Sequence, residues 1–289
     1  MLSSRSAQFP APVRTSDTLI VLCTFNERES IGGLIDALLA LRSPCDVLVI
    51  DDSSKDGTVE VLAARPADPR VGVILRPRKL GLGSGQKLGW LHARRMGYAR
   101  IVTMDADLSH DPVDVQRLLD CLDSGADVAV GSRFMPGGQL DYTGGRLLVS
   151  RSANRLAARV LGLPLSEYTT SLRAVRLDRV PVGLIETIDN DGYSFFVASI
   201  TRLLRAGLRP GEVPIHFRVR HHGASKISQW EIVYGLINLF HLSVDRRAYA
   251  PPAGYVEALP CPVCARAYVT KQAGGELRCL ACFGSLDGN

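Results

Sequence analysis

Residues 105–107, Asp-Ala-Asp, close an apolar run that extends from Ile101 to Met104. Alternate residues of an extended chain point the same way, so Asp105 and Asp107 can aim two carboxylates at one hard cation while Met104 and Ala106 face a core. A divalent ion held by one or two carboxylates and completed by phosphate oxygens is how Mg²⁺ or Mn²⁺ usually meets a nucleotide. Three further polar signals close apolar runs in the same manner: Thr24-Phe25-Asn26-Glu27, Asp51-Asp52-Ser53-Ser54 and Gly131-Ser132-Arg133. The Asp51-Asp52 pair fits two roles, an acceptor for ribose or base and the N-cap of a helix starting near Thr58.

A different chemistry closes the chain. Cys261, Cys264, Cys279 and Cys282 are spaced Cys-x2-Cys-x14-Cys-x2-Cys, which suits two turns clamping one tetrahedral Zn²⁺. Four thiolates leave no open coordination position, so such a zinc is structural. Cys23, Cys45 and Cys121 stand singly in apolar segments and read as reduced core residues.

The elements that must position these groups alternate. TLIVLCTF and DVLVIDDSS are β-branched apolar runs, and SIGGLIDALLAL between them has helical spacing. The alternation continues through GTVEVLAA, VGVILR, GSGQKLGWLHARRMG, RIVTMDAD, PVDVQRLLDCLDSG and DVAVGSRF, which predicts an α/β, Rossmann-like fold with a mostly parallel sheet. Ligands of such sheets bind at the carboxyl ends of the strands, where the four polar signals stand. Downstream, SQWEIVYGLINLFHLSV places Trp230, Val233, Ile237, Phe240 and Val244 on one helical face, to dock on the core or to lie on a bilayer. LGLGSG at 80–85 follows a basic loop and not the first strand, which argues against a dinucleotide fingerprint.

The 289 residues are 46% hydrophobic and 22% charged, enough for one sizeable core plus a small module and incompatible with wholesale disorder. The net charge of +5 is spread along the chain, so it favours phosphates without forming a nucleic-acid arm. The first 18 residues carry no apolar signal region, and the longest apolar stretch, 232–240, falls short of the roughly 20 residues that span a bilayer. The expected organisation is a loose tail at 1–18, an α/β domain at 19–247, a Pro- and Ala-rich linker at 248–256 and a zinc ribbon at 257–289.

The ordered motifs TFNERESI, VLVIDDSSKDGT, LRPRKLGLGSG, MDADLSHDP, VGSRFMPGG, SRSAN and EVPIHFRVRHHGASK resemble the family 2 glycosyltransferases of GT-A fold, and among them the polyprenyl-phosphate mannose synthases. The resemblance covers about residues 19 to 240. It implies an inverting transfer of mannose from GDP-mannose to a polyprenyl phosphate, with Mg²⁺ or Mn²⁺, by a cytoplasmic protein peripheral to the membrane. By the same resemblance Thr24, Phe25, Glu27, Asp52 and Ala106 belong to the nucleotide-sugar pocket. Asp105 and Asp107 hold metal and diphosphate, with Ser109 where many relatives add a ligand. Arg133 and Arg151 grip phosphate, and Arg220, Ser225 and Lys226 form the acceptor loop. Glu167 stands where many relatives have Asp. Two rival readings remain at this level: a UDP-sugar donor carrying glucose or an N-acetylhexosamine, and a non-catalytic scaffold working through the ribbon, which suits a partner protein or self-association better than nucleic acid.

Overall fold

The computed structural model describes residues 13–142, 144–185, 188, 192, 194–218, 229–244, 259–260, 268–271 and 277–279. Its centre is a seven-stranded sheet in the order β3-β2-β1-β4-β7-β5-β8. The strands are β1 (Thr18–Thr24), β2 (Asp46–Asp51), β3 (Val71–Leu75), β4 (Arg100–Asp105), β5 (Val128–Ser132), β7 (Arg173–Arg176) and β8 (Pro210–Pro214). All neighbours run parallel except β7, which lies antiparallel between β4 and β5.

Alternation along β1 sorts its side chains to two cores. Leu19 and Val21 join a cluster with α3 (Leu82–Arg95), α5 (Gly145–Leu161) and α6 (Ser194–Arg205), whereas Ile20 and Leu22 meet α1 (Arg28–Leu39) and α4 (Pro112–Asp123). With both faces covered, the strands are apolar throughout and not alternating, as a buried parallel sheet requires. The glycines of LGLGSGQKLGW serve packing. A Cβ on Gly89 would come within 2.5 Å of Val21, and one on Gly85 within 2.9 Å of the Cys23 sulfur, so α3 lies closer to β1 than any larger residue permits. Burial pushes the Cys23 thiol up to about 12, which keeps it protonated and inert near neutral pH.

The expected loose tail ends earlier than residue 18. The Thr15 and Ser16 amides donate to the Asp46 carboxylate at 2.8 and 3.1 Å, and the Tyr98 hydroxyl donates to it at 2.8 Å, so 13–17 strap the foot of β2. Residues 210–217 divide into β8 and β9 (His216–Phe217), the latter pairing in parallel with β6 (Gln139–Leu140). The N-cap of helix α2 (Thr58–Ala64) is the left-handed Gly57, and the Asp56 carboxylate just before it accepts from the Thr58 amide at 3.0 Å, so neither Asp51 nor Asp52 caps the helix.

Helix α7 (Gln229–Val244) docks through Leu239 and Leu242. Ile237, Phe240 and Val244, three of the residues expected to share one apolar face, stay exposed. The side chains of Trp230 and Val233 lie outside the described residues. In the expected ribbon, β10 (Leu259–Pro260), β11 (Tyr268–Lys271) and β12 (Leu277–Cys279) form a three-stranded antiparallel sheet. Cys261, Cys264 and Cys282 lie outside the described residues, as does the Cys279 side chain.

Candidate active site

Among the described residues, three non-glycine residues adopt positive φ: Asn26 (60°), Ser53 (63°) and Leu108 (60°). They follow the carboxyl ends of β1, β2 and β4, three adjacent strands. Left-handed backbone at Ser and Leu is unfavourable, and such strain tends to collect where a chain must present groups to a ligand.

Asp105 ends β4 in register with Cys23 of β1, and its side chain is about a quarter exposed. Asp107 is nearly buried, and one of its oxygens accepts the Ser109 amide at 3.0 Å across the left-handed Leu108. The Ser109 hydroxyl is fully buried and has no hydrogen-bond partner among the described residues. His110 sits behind them with Nε2 3.6 Å from an Asp105 oxygen and 3.3 Å from the Ser171 hydroxyl. Among the described residues there is no group of three or more His, Cys, Asp or Glu side chains that could hold a metal. Two carboxylates beside an orphaned hydroxyl are a partial oxygen set, the kind that Mg²⁺ or Mn²⁺ completes with waters and substrate phosphates.

On the nucleotide side, Asp51 is fully buried and braces the turn after β2, accepting from the Thr24 hydroxyl and the Ser54 amide, each at 2.9 Å. Asp52 is ion-paired with the fully buried Arg76 and accepts the amides of Leu80 at 3.1 Å and Gly81 at 3.2 Å. Burial acts against the Asp52 charge, and Arg76 with the two amides opposes it. Asp52 thus shapes the loop at 76–81, and the same loop lays the Lys79 ammonium 4.5 Å from the centre of the Phe25 ring. The Glu27 amide is fixed by the Thr58 hydroxyl at 2.9 Å, and Ala106 is buried.

On the other side, Arg133 follows β5 and is nearly buried. Its Nε and Nη2 donate to the two oxygens of Glu167, both at 2.8 Å, and its guanidinium lies 4.9 Å from the Phe217 ring centre. Phe217 meets His110 and Tyr142 edge-on, at 5.0 and 6.1 Å between centroids. The negative charge of Asp105, after that of Glu167, in turn favours the charged form of Arg133. A continuous set of contacts therefore runs from Asp105 through His110 and Phe217 to Arg133. The next residue, Arg218, donates its amide to the Ser109 carbonyl at 2.9 Å and its Nη2 to Asp111 at 2.8 Å, so the chain leaves β9 against the aspartate loop. Arg220, Ser225 and Lys226 lie outside the described residues. Arg151 is exposed on α5, three residues before the buried Asn154. Sequence reasoning gave no role to Arg76, His110, Tyr142 or Phe217 and noted Glu167 only as standing where many relatives have Asp; the contacts of Arg76 with Asp52 and of Glu167 with Arg133 join residues distant in sequence.

A doubly wound sheet that carries Asp105, Asp107 and Arg133 at the carboxyl ends of its strands has the architecture that binds ligands at that edge. The chain belongs to glycosyl transferase family 2, whose model matches residues 19–179, and it is a glycosyltransferase. It is 39% identical over 225 residues to a polyprenol monophosphomannose synthase of Mycolicibacterium smegmatis, covering 76% of this chain and 84% of the relative. It is 36% identical over 223 residues to an undecaprenyl-phosphate mannosyltransferase of Micrococcus luteus, covering 76% and 91%. Among solved structures it resembles glucosyl-3-phosphoglycerate synthase from Mycobacterium tuberculosis in complex with UDP, with a TM-score of 0.56 at 19% identity over 90% of this chain and 88% of that one. The same enzyme with Mn²⁺, UDP and phosphoglyceric acid gives 0.54 at 19% identity, over 91% and 87%. At that identity these two likenesses concern the fold.

Proposed function

We propose that the protein transfers mannose from GDP-mannose to a polyprenyl phosphate, with inversion at the anomeric carbon, at a membrane surface facing the cytoplasm. The observation that carries this is the run from Asp105 through His110 and Phe217 to Arg133, in a chain 39% identical to a polyprenol monophosphomannose synthase. It sets groups for a donor diphosphate beside groups for an acceptor phosphate.

A phosphate monoester has its second pKa near 6, so the acceptor is largely dianionic at neutral pH and needs no strong general base. The residues must instead bring two anions together. Asp105 and Asp107, with Ser109 alongside, hold Mg²⁺ or Mn²⁺. That ion, when bound, offsets the charge developing on the departing nucleoside diphosphate. On this reading Thr24, Phe25, Glu27, Asp52 and Ala106 frame the donor, Arg133 and Arg151 receive the acceptor phosphate, and Arg220 and Lys226, outside the described residues, are assigned to the acceptor by the family resemblance. Incubating the pure chain with polyprenyl phosphate, Mn²⁺ and labelled GDP-mannose, UDP-glucose or UDP-N-acetylglucosamine tests this. Label should enter lipid from GDP-mannose, and entry from a UDP-sugar instead overturns the donor assignment.

No helix among the described residues is long and apolar enough to cross a membrane. The peripheral contact rests on α5 and α7, which pack together. Leu148 and Val149 of α5 and Phe240 and Val244 of α7 are exposed, and Arg151, Arg155 and Arg159 recur every fourth residue along α5, also exposed. Apolar side chains beside a basic stripe suit an anionic bilayer surface. Phe240→Asp should weaken flotation with anionic vesicles at least about tenfold, from the apolar burial lost, and leave turnover of a short, soluble isoprenyl phosphate unchanged. Unchanged flotation would remove α7 from the contact.

The C-terminal cysteines are proposed to hold one structural Zn²⁺, supported by the three-stranded sheet, in which β10 ends next to Cys261 and β12 ends on Cys279. Elemental analysis should find one zinc per chain, and none in Cys261→Ser/Cys264→Ser. The ribbon is proposed to serve a partner protein or self-association.

A further inference from the structure

Arg133 has five N–H donors. Nε–H goes to one Glu167 oxygen at 2.8 Å, and Nη2 goes to the other at 2.8 Å and to the Thr169 hydroxyl at 3.0 Å. Nη1 meets the Tyr142 hydroxyl at 3.3 Å, and that hydroxyl lies 3.4 Å from the Ser150 hydroxyl on α5. One Nη1 hydrogen is left. Glu167 is itself fixed, fully buried, with its amide donated to Glu212 at 3.2 Å and one carboxylate oxygen accepting the Thr169 amide at 3.1 Å. Asn154 of α5 ties the same turn down, accepting the Tyr168 amide at 2.7 Å and donating to the Thr169 hydroxyl at 3.2 Å. A second buried guanidinium, Arg173, lies close enough to feel the Glu167 charge, and among the described residues it has no carboxylate in ion-pair contact.

We propose that Glu167 is a positioning residue: it holds the Arg133 guanidinium edge-on so that its open Nη1 corner, beside Tyr142 and the helix bearing Arg151, meets the acceptor phosphate. This rests on the acceptor assignment above and deepens it. A guanidinium free to rotate would offer a bidentate fork to either anion, donor diphosphate included. Clamped along one edge, it offers a single contact to one place. Burial works against the Glu167 charge, but the Arg133 field and hydrogen bonds outweigh it and keep the carboxyl below its usual range, so the clamp stays ionised.

The full chain is compared as wild type, Glu167→Asp, Glu167→Gln, Arg133→Met and Glu167→Gln/Arg133→Met, with a short-chain isoprenyl phosphate as acceptor. Glu167→Gln should cost about 10–100-fold in kcat/KM for the acceptor, the scale of a reactive group misplaced by about an ångström, while the donor KM stays within about threefold. Because Glu167 acts through Arg133, the double variant should lose no more than Arg133→Met alone, and Glu167→Asp, one methylene shorter, should fall between. Losses that multiply in the double variant, or a Glu167→Gln enzyme matching wild type, overturn the proposal. If Glu167→Gln fails to fold, Glu167→Asp and the apolar pair Arg133→Met/Glu167→Met carry the comparison. A wild-type chain that transfers no sugar to lipid phosphate overturns the acceptor assignment instead. Glu167 is then judged by the ¹⁵N spectrum of the Arg133 Nε–H, expected to be protected from exchange in wild type and exposed in Glu167→Asp. Equal protection in both overturns the positioning role.

Discussion

Asp107→Asn is expected to lower mannosyl transfer about 10²–10³-fold, the usual cost of removing one preorganised electrostatic group from a transition state, without unfolding the chain. The substitution is isosteric, and an amide oxygen still accepts the Ser109 amide that Asp107 holds at 3.0 Å. What is lost is a negative charge beside Asp105, at the place where the divalent ion should sit. Chelation of Mg²⁺ and Mn²⁺ should abolish transfer in the wild-type enzyme and added Mn²⁺ should restore it, whereas the variant should need far more Mn²⁺ for its residual rate. Initial rates against Mn²⁺ concentration separate the possibilities. A variant with normal rate and normal Mn²⁺ dependence would show that Asp107 only caps its own loop and takes no part in holding the ion.

The second large effect is on stability. Arg76→Met should destabilise the protein by about 3–5 kcal/mol, because it leaves the Asp52 carboxylate buried without its counter-charge. At about 2–4 °C per kcal/mol for a domain of this size, the melting temperature should fall by about 6–20 °C. Asp52→Asn/Arg76→Met should recover much of that loss, since the remaining amide can still accept from Leu80 and Gly81 and no net charge stays buried. Thermal denaturation followed by circular dichroism checks both variants. A single variant as stable as wild type would mean that Asp52 reaches water and that the loop at 76–81 does not depend on the pair.

These two sites were legible to different degrees. Asp105 and Asp107 stand out because the chemistry lies within three residues at the end of an apolar run, but β4 ends at Asp105, so Asp107 stands in the bend beyond the strand and its placement does not follow from strand periodicity. Asp52 was singled out for the same reason, yet its engagement with Arg76, Leu80 and Gly81 was hidden, since nothing local tells a carboxylate whether a guanidinium 24 residues away will be folded onto it. Arg133 is the sharper case. It was read as a phosphate grip with its whole fork available, whereas Glu167, 34 residues on, takes one edge of that fork.

The order of apolar runs and helical stretches determined a doubly wound α/β sheet, and the position of polar residues after each run determined which edge bears the chemistry, because both follow from local periodicity and burial. The insertion of β7 antiparallel between β4 and β5, the division of 210–217 into β8 and β9, and the exposure of Phe240 and Val244 on α7 were decided only by tertiary structure. Each depends on which distant surface a segment meets: β7 pairs where β4 and β5 leave a gap, β9 leaves the sheet to pair with β6, and α7 spends Leu239 and Leu242 on the core, leaving its other apolar side outward. Pairings of that kind are long-range, and their free energy resides in neither partner's own sequence.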